Sequence, residues 1–244
     1  MMNIHIISDL SDKDNLIFLG DPEDFNFVEL SKDQKAFIQE QFKNDNVLAE
    51  INLYGQYLFF VNLTDKKLKS KKEIAASRGD KIVNFLNGRK QTSVTLIDGL
   101  NDNETVLSFL EGMNLGNYKF TKYFKEADKK ESTVKEVQIL SKNMTIDSVN
   151  ELNNLCHAVY FTRDLANEPF SGLNALQLLE QIEKASKEAG FKVDVYHKEK
   201  IQELGMGGLL AVNKGSEHPP VFSLLEWKPE NAKNKKPVIL VGKG

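Results

Sequence analysis

The stretch SVTLIDGLNDNETVLSFLEGMNLG, Ser93 to Gly116, sets a short apolar run beside a longer periodic one. Ser93–Ile97 reads as a strand, and Asn103 to Gly116 as a helix. Outward from it, the same alternation continues in both directions. Toward the N-terminus, Ile4–Ile7, Leu16–Leu19, Val47–Tyr54 and Tyr57–Leu63 read as strands. Tyr54-Gly55-Gln56-Tyr57 reads as the hairpin turn between the last two, with Gly55 free to take a positive φ. Ser31 opens a helix with Gln34 three residues on, the spacing of a capping box. A second helix spans about Ser70 to Leu86 and stops at Asn87-Gly88. Toward the C-terminus, Lys119 to Ser132 is polar and charged, and Val134–Leu140 is the next strand. Strands interleaved with helices in this way specify an α/β architecture.

Asp147 begins a long helix whose apolar residues Val149, Leu152, Cys156 and Val159 share one face. A domain boundary is expected just before it, near Met144, dividing the chain into 1–144 and 145–244. Beyond Pro169, Asn174 caps a helix with Gln177 at its third position. Its buried stripe is Ala175, Leu178, Ile182, Ala185 and Ala189, and Gly190 ends it. A strand at Phe191–Tyr196, a short helix at Lys198–Leu204 and strands at Val221–Trp227 and Pro237–Val241 complete the reading. The last strand is uniformly apolar, as suits one covered on both faces.

The 244 residues allow one or two domains. With 41% hydrophobic and 27% charged residues the chain has the composition of a globular protein with a sizeable core. A net charge of −3 provides no global attraction to nucleic acid or anionic membrane. No apolar run approaches the ~18 residues of a membrane span. The opening MMNIHIISDLSDKDN lacks a basic region and its apolar run breaks at Ser8 and Asp9, so no signal peptide is expected. The single cysteine, Cys156, fits a reducing cytoplasmic setting and the role of a small buried hydrophobe.

Most catalytic constellations are missing. His5, His157, His197 and His218 lie far apart in sequence, and no CxxC, HExxH or GxSxG occurs. Gly205-Met206-Gly207-Gly208 imitates the start of a dinucleotide fingerprint, but Leu210 takes the place of the last glycine and a helix precedes it where a strand is required. Gly242-Lys243-Gly244 follows an apolar strand. A P-loop would need glycine where Pro237 stands, while a Rossmann loop beginning at Gly242 stays open by spacing. Lys66, Lys67, Lys69, Lys71 and Lys72, followed by Arg78, Lys81, Arg89 and Lys90, form a basic run with few interleaved aromatics. It reads as a solvated loop and helix face rather than a nucleic-acid site.

Three segments, by their order and spacing, resemble the leucyl aminopeptidase family of metallopeptidases. They are Arg163-Asp164-Leu165-Ala166-Asn167-Glu168-Pro169, then Leu204-Gly205-Met206-Gly207-Gly208-Leu209-Leu210-Ala211-Val212 continuing through Ser216, and Val238-Ile239-Leu240-Val241-Gly242-Lys243-Gly244. Leu115-Gly116-Asn117-Tyr118-Lys119-Phe120 resembles the end of that family's N-terminal domain. The resemblance implies a macro-domain-like, three-layer α/β N-terminal domain, followed by the first part of an α/β catalytic domain. It also implies hydrolysis of N-terminal residues from peptides with a free N-terminus, two divalent metals (zinc or manganese) and a homo-oligomer, hexameric in the family. By the same resemblance Lys243 is a metal ligand, a role that requires its amine to shed a proton. The remaining metal ligands would follow the VGKG segment, so this stretch of chain is expected to be inactive by itself and to bind metal weakly or not at all. RDLANEP is implied to be structural, with Arg163 and Asp164 closing the linker helix, and GMGGLLAV to be a packing turn where glycines let backbones approach. No other catalytic or cofactor-binding residue is expected. The alternative is a stand-alone binding or oligomerisation module for nucleotide or nucleic acid.

Overall fold

A computed structural model describes residues 2–11, 14–64 and 70–243. The chain packs into two compact units, the first running to Arg163 and the second beginning at Asp164.

The first unit is built on a six-stranded sheet. Its strands are β1 (Asn3–Ile6), β2 (Leu16–Leu19), β3 (Leu48–Asn52), β4 (Tyr57–Val61), β5 (Ser93–Asp98) and β6 (Glu136–Leu140). They lie in the order β1-β6-β5-β2-β4-β3, and all neighbours are parallel except β3 and β4. Burial follows from position. All four residues of β2 and four of five in β4 are buried, since these strands are covered on both faces. Strand β3, at the edge, alternates between buried and partly exposed residues.

Each face carries its own core. Helix α1 (Lys32–Lys43) covers one, where Phe18, Phe25, Phe60 and Ile38 meet, with ring centroids 5.0–6.0 Å apart in edge-on pairs. The expected capping box is in place: Ser31 Oγ accepts from Gln34 N–H, and Gln34 Oε1 from Ser31 N–H. Helices α2 (Lys71–Gly88) and α3 (Asn103–Gly116) cover the other face. They cross at glycines. A Cβ on Gly79 would stand 2.1 Å from Phe109 O, and one on Gly112 2.0 Å from Ala76 O. A short turn of helix, α4 (Ala127–Lys130), precedes β6. Helix α5 (Ile146–Asn167) then buries Val149, Leu152 and Cys156 in the same core as α2 and α3. The chain boundary expected near Met144 thus falls before a helix that packs, as far as Arg163, with the first unit.

Two turns differ from expectation. In the β3–β4 hairpin the positive φ belongs to Tyr54 (64°), not Gly55, and Asn52 Oδ1 accepts the Tyr54 N–H. Helix α2 runs through Asn87-Gly88, and its left-handed residue is Lys90 (φ 57°). Lys90 N–H donates to Asn87 O and Gln91 N–H to Leu86 O, closing the helix as a Schellman pair.

The second unit contains α6 (Ala175–Ala189), β7 (Lys192–Tyr196), α7 (Lys198–Glu203), α8 (Gly207–Asn213) and β8 (Phe222–Glu226). Asn174 caps α6 in a second capping box, and Gly190 ends it at φ 75°. Strands β7 and β8 form an antiparallel pair, Lys192 opposite Glu226 and Tyr196 opposite Phe222. Pro237–Val241 forms no strand. Val238, Ile239, Leu240 and Val241 are each at least 78% exposed, because no strand among the described residues lies alongside to take their backbone hydrogen bonds.

Candidate functional site

Lys243 lies in irregular chain and is exposed. Among the described residues no group of three or more His, Cys, Asp or Glu side chains is placed to hold a metal ion. The four histidines are dispersed: His5 in β1, His157 on an exposed face of α5, His197 capping α7, and His218 against the Phe170 ring at 5.4 Å.

The segments that carry the resemblance take up distinct structural work. Helix α5 does not close at Arg163-Asp164 but continues to Asn167, with Pro169 two residues past its end. Proline cannot extend the helix, and it disfavours helical backbone in the residue before it. Arg163 Nη1 donates to Leu115 O in the last turn of α3, at 2.8 Å, and its guanidinium lies over the Tyr118 ring at 5.3 Å. Tyr160, one turn earlier, donates its hydroxyl to Asn114 O and meets Tyr118 edge-on at 4.9 Å. A cation over the carbonyl end of a helix is electrostatically favourable, so Arg163 locks α5 to α3.

The GMGGLLAV segment is not a close-packed turn. Gly205 (φ 68°) is the left-handed residue ending α7: Met206 N–H donates to Ile201 O and Gly205 N–H to Gln202 O. Gly207 and Gly208 lie in α8, and a Cβ at either would meet nothing within 4 Å. The glycine needed here is the one with positive φ.

The basic run separates into unlike parts. Lys66, Lys67 and Lys69 lie outside the described residues. Lys72 pairs with Glu104 at 2.7 Å. Arg78 is buried, its Nε and Nη2 donating to Asn62 O and Thr64 O, so it pins the chain after β4 rather than facing solvent. Arg89 pairs with Glu50 and stacks on Tyr57 and Phe85. Among the described residues of the run, Lys72, Arg78 and Arg89 are thus engaged with neighbouring groups.

A cavity of about 410 Å³ opens at the carboxyl ends of β2 and β4, where Gly20, Asp21, Asn62 and Thr64 face Gln39 and Phe42 of α1. Strand ends of parallel sheets commonly hold ligands. Here the polar lining is already engaged. Asn62 Oδ1 accepts from the Thr64 N–H and hydroxyl, Asn62 Nδ2 donates to Asn46 O, and Gln39 Nε2 donates to Glu23. Cys156 is buried, and burial pushes its thiol up to about 11, Glu111 adding to the effect and Arg163 opposing it. Such a thiol is a packing group, not a nucleophile at neutral pH.

Residues 160–244 match the catalytic domain of the cytosol aminopeptidase family. A probable cytosol aminopeptidase of Sulfurihydrogenibium sp. (strain YO3AOP1) is 44% identical over 149 residues, 59% of this chain and 29% of that protein. One from Aquifex aeolicus (strain VF5) is 31% identical over 191 residues, 77% of this chain and 38% of that protein. The matched stretches thus span less than two-fifths of the length of these relatives. Among solved structures, a mutant of tomato leucine aminopeptidase superimposes with a TM-score of 0.76 at 18% identity, over 96% of this chain and 52% of that one. The bottromycin maturation enzyme BotP does so at 0.67 and 19% identity, over 89% and 47%. These two likenesses concern the fold, and they agree with the α/β architecture described above. The match across residues 160–244 and the sequence relatives that extend well upstream of it make the chain similar to the cytosol aminopeptidase family over most of its length.

Proposed function

We propose that this chain forms the front part of a metallo-aminopeptidase that hydrolyses N-terminal residues from peptides, and that the chain by itself lacks most of the active site. The observation that carries this reading is the family match over 160–244, which includes the VGKG segment. Position in that segment makes Lys243 the one candidate metal ligand. Two divalent metals, zinc or manganese, belong to the family reading, and one solved relative is described in complex with Mn. No group of three or more His, Cys, Asp or Glu side chains is gathered among the described residues, so no catalytic step is assigned to them. The same reading brings peptide substrates with a free N-terminus, a cytoplasmic setting and a hexameric assembly. It divides the chain into an N-terminal domain, 1–144, and a linker helix with part of the catalytic domain, 145–244. No described helix is long and apolar enough to cross a membrane.

The test is hydrolysis of leucine-p-nitroanilide with added manganese or zinc. The chain is compared with a chimera that continues from Gly244 into the remaining segment of the Sulfurihydrogenibium relative. Activity is expected in the chimera alone, and Lys243→Ala should lower it by at least roughly tenfold. A folded chimera without activity would overturn the peptidase reading. Activity of the chain alone that disappears in Lys243→Ala would overturn the claim that its site is incomplete.

A further inference from the structure

The segment between α3 and β6 has a composition unlike the rest of the surface. Asn117 to Lys135 contains six lysines against three acidic residues, in a chain whose net charge is −3. Two of those acids are taken up locally, Glu126 by Lys129 at 2.7 Å and Glu131 by Lys135 at 2.9 Å. Lys119, Lys125 and Lys130 are exposed and form no ion pair among the described residues.

Aromatic rings alternate with these cations in Tyr118-Lys119-Phe120-Thr121-Lys122-Tyr123-Phe124-Lys125. Tyr118 is committed to Tyr160 and Arg163. Phe124 N–H donates to Thr121 O, forming a turn with Lys122 and Tyr123 at its corner. That turn leaves Tyr123 and Phe124 each 57% exposed. Phe120 lies against Tyr123, ring centroids 5.9 Å apart, and Lys122 over the same ring at 5.4 Å. The base of the segment is held firmly. Ser132 Oγ donates to Asn117 O, Asn117 Nδ2 to Val134 O, and Asn87 Nδ2 to Asn117 Oδ1. Asn87 Oδ1 in turn accepts from Thr133 and Val134 N–H.

We infer that the Tyr118–Lys130 segment is a binding surface for single-stranded nucleic acid, with Tyr123 and Phe124 as stacking platforms and Lys119, Lys125 and Lys130 meeting phosphates. Exposed rings beside cations at short spacing are the combination that single-strand binders use, since every base offers a π-face and every linkage a charge. The net negative charge of the chain does not oppose this, because screening at physiological salt confines its field to about 8 Å. A lipid surface is the less fitting partner. From Asn117 to Thr133 the segment has no Leu, Ile, Val or Met to enter hydrocarbon, only rings flanked by lysines. The inference stands apart from the peptidase reading and uses none of its residues.

The experiment is fluorescence anisotropy of a labelled 20-nucleotide oligo(dT) titrated with the whole chain at 50 mM and 200 mM NaCl. Binding is expected at the lower salt. It should weaken roughly 20-fold at the higher, for three phosphates neutralised. Tyr123→Ala with Phe124→Ala should lower affinity about tenfold or more without changing the salt slope. Lys119→Glu with Lys125→Glu should abolish binding, while Lys184→Glu with Lys187→Glu, an equal charge change on α6, should leave it intact. Circular dichroism melts verify that each variant is folded. Four results would each overturn the inference: no binding at 50 mM NaCl, equal loss with the α6 variant, equal affinity for a duplex of the same length, or ring-dependent capture by phosphatidylserine vesicles without oligo(dT) binding.

Discussion

Single positions in this chain show how much rests on backbone conformation and close approach. Lys90 occupies a left-handed site, φ 57°, at the end of α2, where a Cβ crowds the following carbonyl and glycine does not. Its side chain makes no ion pair among the described residues, so Lys90→Gly removes strain at little cost. It should raise stability by about 1 kcal/mol in urea denaturation; a fall would mean that the lysine side chain holds the turn. Gly112 presents the reverse case. Any Cβ there collides with the α2 backbone at Ala76, which can yield only by separating two helices. Gly112→Ala should therefore cost about 2–3 kcal/mol or more, measured in the same denaturation. Cys156 adds a pH dependence. Its thiol rises from 9.0 to about 11 on folding, so the unfolded chain ionises first. The stabilisation is complete below pH 9 and is lost as pH climbs toward 11. Wild type should lose roughly 2–3 kcal/mol over that window that Cys156→Ala does not lose. Parallel pH profiles for the two proteins would contradict this.

At the scale of elements, what was legible depended on whether the deciding interaction is local in sequence. The capping boxes at Ser31 and Asn174 are three-residue signals, and both helices begin where they were read. Central strands β2 and β4 announced themselves as apolar runs. Tyr54 and Lys90 could not be anticipated, because a left-handed residue without glycine is chosen by the register of the surrounding strands and helices rather than by its own type. The glycines of α2 and α3 carry no local signature either, since their reason is another helix far along the chain. Lys243 is proposed as a metal ligand only through its neighbours Val241-Gly242 and Gly244, because an exposed lysine in irregular chain carries no signal of its own. Helix α5 illustrates the same limit. Its apolar face was readable, but the clamp formed by Tyr160, Arg163 and Tyr118 on the end of α3 was not. Arg163→Ala should free the last turns of α5 with modest global destabilisation, about 1–2 kcal/mol. Amides from Tyr160 to Asn167 should then exchange faster while those of α2 keep their protection. Unchanged exchange in those turns would mean that Val149, Leu152 and Cys156 suffice to hold the helix.

Across the whole molecule, the two units differ in how much apolar surface each buries. The first encloses two cores around a six-stranded sheet. In the second, Leu179 and Ile201 are the buried large hydrophobic side chains among the described residues. Phe170, Val212, Leu224, Leu225, Trp227 and Val238–Val241 are all exposed there. A two-stranded sheet that leaves both Leu224 and Leu225 exposed is marginal by itself, because backbone ordering is not offset by burial. In the tomato structure the matched stretch is 52% of the chain, so a comparable length of chain remains there beyond it. Hydrogen exchange should therefore report two levels of protection in the chain alone. Amides of β2, β5, α2 and α3 should open only with global unfolding, while those of α6, β7 and β8 should open at far lower free energy. The chimera extended from Gly244 should raise protection in β7 and β8 specifically. Protection there that already equals that of β2 in the chain alone would show that the exposed apolar side chains are no liability, and that the second unit holds its fold unaided.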